Sequence, residues 1–273
     1  MYTDMPTPPQ PPTPHPTQPL APHSPPPTAC AIVVGVGEVS GIGGAVALRC
    51  AQGGLPVFIV GRTAAKLQHV VDAIAQAGGR ATALVNDLAD AHAIAQLFAA
   101  VEATGHAPEL VVFNAASLNM PQRFLPVSAS QFEDKWRLTG LAGILVAQAA
   151  ARRMVAQGHG SILITGATAS VRGKPLFAAF ASAKAALRSF TASLAWEVAP
   201  RGVHVAHIVI DGMVAGHRAR SALGGLGNLV VWQRGQEGCL RPPEVAETYW
   251  QLHQQAAGAW THEADLRPFK EPF

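Results

Sequence analysis

The chain has 273 residues, 49% of them hydrophobic, enough for one large domain or two small ones around a substantial core. Its net charge of +3 is spread without a dense Lys/Arg block, which argues against nucleic acid and anionic membrane as partners and for a small molecule. Three cysteines with neither CxxC nor CxxH spacing, Cys30, Cys50 and Cys239, suit reduced thiols in a cytoplasmic protein better than a disulfide framework, and no metal site is indicated.

Residues 1–28 are dense in proline, "PTPPQPPTPHPTQPLAPHSPPP", with little to bury. Proline fixes φ and removes backbone donors, so this segment is expected to be a disordered tail, either a dispensable extension or a ligand for a polyproline-binding partner. It lacks the apolar run of a signal peptide. From residue 29 to 273 one domain is expected. Short β-branched runs at 30–36, 57–60, 81–85, 109–113, 161–165 and 203–210 read as strands, and 42–53, 63–77, 90–103, 130–157 and 177–199 as helices. Strands without alternation are buried on both faces, so the fold class is α/β, a Rossmann-type doubly wound parallel sheet with helices on both faces. The longest apolar run, 141–151, is shorter than a bilayer span and stops at Arg152 and Arg153.

The first strand leads into "VVGVGEVSGIGGAVAL", with the spacing Gly37-x-x-x-Gly41-x-Gly43. Glycine there permits a sharp turn and close approach of a pyrophosphate, and it leaves the unpaired N–H groups of the next helix facing the anion. Ser40 and Ile42 belong to the same loop. At the end of the second strand Arg62 stands where an NAD-selective site would use a carboxylate; a guanidinium suits a 2′-phosphate, which favours NADP, with NAD as the alternative. Arg62 could equally be a solvated side chain near a helix start. Asp87, after the third strand, either contacts an adenine edge or caps the helix that starts near Asp90.

Taken in order, "GEVSGIG", Asp87, "FNAAS" (113–117), "SILITGATAS" and "FASAK" resemble the short-chain dehydrogenase/reductase family over about residues 30–240. The resemblance implies a nicotinamide cofactor across the carboxyl ends of the strands, a homodimer or homotetramer, and a substrate loop at about 212–240. It places Asn114, Ala115 and Ala116 beside the cofactor and gives Lys184 the nicotinamide ribose. It also implies a tyrosine four residues before Lys184 and a serine thirteen before that. Here those positions hold Phe180 and Ala167, and the supporting asparagine of the central helix aligns with Gly140. Phenylalanine has no exchangeable proton, so Phe180 can neither donate to an alkoxide nor accept from an alcohol.

Candidate substitutes are Thr168 or Ser170, if the turn shifts slightly; Lys184 itself, in the apolar surroundings of Phe177 and Phe180; and His217 in the substrate loop. Tyr249, in a late helix, is expected to lie away from the site. Ile210-Asp211-Gly212 departs from the usual Pro-Gly pair. Three readings follow. One is an atypical oxidoreductase moving hydride between NADP(H) and a small, largely apolar substrate. The others are a nucleotide-binding pseudoenzyme and a redox-neutral cyclase or isomerase.

Overall fold

The computed structural model describes residues 27–270 apart from 89, 118–119, 218 and 220–226. The proline-rich tail thus lies outside the described residues up to position 26. Thr28, assigned to that tail on sequence, instead opens the first strand. Seven strands, β1 Thr28–Val34, β2 Val57–Gly61, β3 Ala81–Val85, β4 His106–Phe113, β5 Gly160–Thr165, β6 Val203–Ile210 and β7 Glu263–Leu266, form one sheet in the order β3-β2-β1-β4-β5-β6-β7. All pairings are parallel. The winding direction reverses between β1 and β4, and a crevice opens there beyond the strand ends.

Alternate residues of each strand feed two cores. Cys30, Ile32 and Val34 face a layer built on α3 (Ala91–Glu102), α5 (Ala142–Gln157) and α7 (Ala178–Val198). Ala31 and Val33 face a layer built on α1 (Ile42–Gln52), α2 (Ala64–Gln76) and a late helix, α9 (Pro242–His253). Because β6 is buried at every position, it reads as an unbroken apolar run with two histidines. A further short helix, α8 (Gly227–Arg234), precedes α9. Among the described residues no helix is long and apolar enough to cross a membrane.

Three expectations change. The first strand ends at Val34 rather than residue 36, because Gly35 turns at φ +89°; a Cβ there would come within 2.3 Å of the Ala115 nitrogen. The single helix expected over 130–157 is α4 (Ala129–Trp136), a π-helical turn (Arg137–Leu141) and α5. Gly140 and Gly143 sit at this junction, and a Cβ on Gly143 would lie 2.7 Å from Leu187 and 2.8 Å from Phe113, so the tight approach of α5 to β4 and α7 sets the backbone there. The last strand, β7, had no sequence signal: "EADL" is short and half charged.

Candidate active site

Lys184 is positioned by α7, one turn after Phe180, so the two side chains share a helix face. The ammonium lies 5.8 Å from the Phe180 ring centroid and donates to the Thr165 carbonyl oxygen at 2.6 Å, while the residue is only 2% exposed. It opens into a cavity of about 360 Å³ at the strand ends, lined by Ile42, Asn114 and Ala116 on one side and by Ala167, Thr168, Phe177, Phe180, Ile210 and Gly212 on the other. A second cavity of about 140 Å³ shares Ala116 with it and runs past Gly37, Arg62, Thr63, Lys66, Asn86, Asp87 and Ala115. Together they form a groove across the switch point.

The groove suits a dinucleotide. Helix α1 starts at Gly41 with no side-chain cap and no acid in its first turn, which leaves its N–H groups for an anion. A Cβ at Gly37 would meet nothing within 4 Å, so the loop presents bare backbone to the groove. Asn114 supports that loop: its side chain donates to the Gly35 carbonyl at 3.2 Å, and a Cβ on Gly43 would lie 3.0 Å from the Asn114 amide. Gly41 and Gly43 therefore shape the turn rather than line the groove. Ser40 lines neither part of it; it borders a larger cavity of about 980 Å³ between α1, α8 and α9. That larger cavity touches neither Asn114 nor Lys184, so the chemistry belongs to the smaller groove.

The two readings of Asp87 now separate. The cap of α3 is Asp90, which accepts from the Ala93 nitrogen at 2.9 Å, and Asp87 lines the groove. Arg62 is exposed at the groove rim beside Thr63 and Lys66. Lys66, four residues after Arg62 and in the first turn of α2, carried no signal that set it apart in the sequence. It also pairs with Glu38 of the glycine loop at 3.1 Å.

None of the substitute donors is simply available. The Thr168 hydroxyl donates to Asp211 at 2.7 Å. Ser170 accepts from the Ala167 nitrogen at 3.1 Å and sits 3.0 Å from His207 Nε2. His217 does not line the Lys184 cavity; it stands 3.9 Å from Glu38. Its loop, 212–240, is described only in part. Tyr249 lies closer than expected, with its hydroxyl 2.8 Å from Thr165 Oγ1, but it is fully buried between sheet and α9 and does not line the cavity. In the π turn Gly140 brings no side chain, and the buried hydroxyl there belongs to Thr139, which accepts from the Ser117 nitrogen at 2.9 Å.

Sequence reading also missed the setting of Asp211. The residue is 2% exposed and holds Thr168, Arg172 at 2.6 Å, and Arg267. Burial alone would push its carboxyl up; the Thr168 hydrogen bond and the two guanidinium groups outweigh that and hold it below the usual carboxylate range. Under the site, His207 is 1% exposed and burial, helped by the Lys184 charge, pushes it down to about 4.

A parallel sheet wound in both directions from its middle, with helices on both faces, defines a Rossmann-type α/β protein. The chain belongs to the short-chain dehydrogenase family, whose model matches residues 30–222. It is 36% identical over 186 residues, 68% of this chain and 69% of the relative, to short-chain reductase protein NovJ of Streptomyces niveus. It is 35% identical over 176 residues to D-erythrulose reductase of Gallus gallus, covering 64% of this chain and 67% of the relative. Among solved structures, a short-chain dehydrogenase from Rhodopseudomonas palustris superposes with a TM-score of 0.74 at 34% identity, covering 88% of this chain and 99% of the other. An actinorhodin polyketide ketoreductase solved with NADPH shares the fold, with a TM-score of 0.79 at 23% identity over 88% of this chain and 96% of the other.

Proposed function

We propose that the protein is an NADP-preferring oxidoreductase with an atypical active site, acting on a small, largely apolar substrate held over Phe177 and Phe180. The observation that carries this reading is the pair of cavities that meet at Ala116, one lined by Arg62 and Lys66 and the other by Lys184. NADP(H), which accompanies the similarly folded ketoreductase, would supply the hydride donor or acceptor. Gly37, Ile42 and the α1 N-terminus would take its pyrophosphate, and Arg62 with Lys66 a 2′-phosphate, with Asp87 and Ala115 at the adenine end. Lys184, fixed by its bond to the Thr165 carbonyl, would hold the nicotinamide ribose beside Asn114. Three buried cysteines that form no disulfide suit the cytoplasm as its location.

With Phe180 and Ala167 in place, the Thr168 hydroxyl is the nearest substitute among the described residues following Ala167, and it is committed to Asp211. A positioned acid contributes roughly 10²–10⁴-fold, whereas juxtaposing donor and acceptor supplies about 7–11 kcal/mol. Turnover without the acid favours a substrate that needs little proton assistance, such as an iminium ion or an activated alkene. The same commitment of Thr168 supports a second reading, a nucleotide-binding protein without redox turnover.

Fluorescence titration with NADPH, then its absorbance during exposure to carbonyl, imine and enone panels, separates them. Binding with consumption on an imine or enone is expected. Binding without consumption on any panel member overturns the first reading in favour of the second, and product formed with NADPH unchanged would point to redox-neutral chemistry. Replacing Arg62 with Ala should cost NADPH about tenfold in affinity and leave NADH unchanged.

A further inference from the structure

Beside its apolar wall, the cavity at Lys184 carries a group of basic side chains that gives one end of a largely apolar substrate a charge preference. Its basic lining residues are Arg172, Lys174 and Lys184, and among the described residues no carboxylate lines it. Asp211, the partner of Arg172, does not line it; Asp211 also meets Arg267, and Asp265 lies 3.4 Å from Arg267. The two arginines and two aspartates balance in charge, so what Arg172 brings to the cavity is its donors, while Lys174 and Lys184 bring net positive charge. Asp211 fixes one Arg172 nitrogen at 2.6 Å, yet the Arg172 side chain stays 46% exposed. A guanidinium held at one nitrogen keeps further donors in a planar fork that matches a carboxylate.

The loop that carries these cations is itself constrained. Leu176 adopts φ +71°, and its carbonyl accepts from the Gln122 nitrogen at 2.9 Å. A leucine in the left-handed region persists only where its surroundings hold it, and such positions cluster at ligand sites. The remaining wall, Ala167, Ala169, Phe177, Phe180 and Ile210, is apolar.

Resting on the reading of this cavity as the substrate site, we propose that the substrate is an amphipathic carboxylate. Arg172, aimed by Asp211, and Lys174 receive its anionic end while its apolar body lies on Phe177 and Phe180. The anion-binding features assigned to the coenzyme, the α1 N-terminus and Arg62, stand on other elements.

The test compares benzoate with benzamide, equal in shape and different in charge, by calorimetry with and without NADPH. Benzoate should bind at least tenfold tighter, with the preference shrinking as salt rises. The double variant R172M/K174M should bind both probes alike while keeping a cooperative unfolding transition and its NADPH affinity, the loss of the Arg172–Asp211 pair showing only as a lower melting temperature; R172K should keep part of the preference. Equal affinity of the two probes for the wild type would overturn the proposal, as would a preference that survives R172M/K174M. Loss of NADPH binding alone would refute the coenzyme reading and leave the probe comparison readable on the free protein.

Discussion

Phe180 and Lys184 stand one helical turn apart at the wall of the groove, and their relation was legible because a fixed spacing of four on a helix puts two side chains on one face. What surrounds them was not. Asp211 meets partners 43, 39 and 56 residues away in sequence, and no local pattern encodes contacts of that span. A tyrosine at 180 would place a hydroxyl at the cavity wall beside the Lys184 ammonium. F180Y is therefore expected to raise NADPH consumption with a carbonyl substrate by 10- to 100-fold, read by absorbance, most strongly when Ala167→Ser supplies the second hydroxyl. No gain in either variant would show that more than the donor is missing.

His207 makes a second prediction at this scale. Its ordinary value is 6.5 and burial lowers it to about 4 in the fold, so the unfolded chain binds the proton first as pH falls. Stability is thus present in full above pH 6.5 and is lost on descent toward pH 4, by about 3 kcal/mol for this group. Urea unfolding of the wild type and of His207→Gln at a series of pH values checks it. The wild type should lose the larger amount over this window, and parallel curves would refute the assignment.

At the scale of elements, the sequence signals were strongest where both faces of a strand are buried, as in β2, β5 and β6, whereas β3, an edge strand with no buried position, was legible only by its short apolar, β-branched run. β7 escaped because an edge strand with Glu263 and Asp265 shows neither an apolar run nor β-branching. The helix over 130–157 was read as unbroken because a π turn keeps helical hydrogen bonding and apolar content while shifting register by one residue. Two contacts tie the late elements to the body, and their environments set their worth. The Asp211–Arg267 pair is buried, and Asp211→Asn should lower unfolding free energy by about 3 kcal/mol, because the buried guanidinium loses its shorter ion pair and keeps the longer one to the half-exposed Asp265. The Arg188–Glu263 pair joins α7 to β7 with side chains 44% and 39% exposed, so Arg188→Ala should cost under about 1 kcal/mol. Chemical denaturation ranks the two, and equal losses would contradict the burial argument.

For the whole molecule, alternating strands and helices with right-handed crossovers allow few topologies, which is why the doubly wound class and the place of the groove followed from the sequence while its substrate wall did not. Assembly belongs to this scale as well. Helix α7 leaves one face open, with Ala178, Ser182, Ala185, Ser189, Ala192, Ser193 and Trp196 all exposed and Trp196 84% so. Small side chains allow a second helix to approach closely, and an indole in water carries a large apolar area that association removes. A closed, two-fold pairing brings the same face of two copies together. Light scattering is expected to give two or four times 28.4 kDa, with Trp196→Asp shifting the mass to that of one chain, since a carboxylate would meet its own symmetry mate across the axis. A wild-type mass of one chain at micromolar concentration would show that α7 is covered by nothing but water.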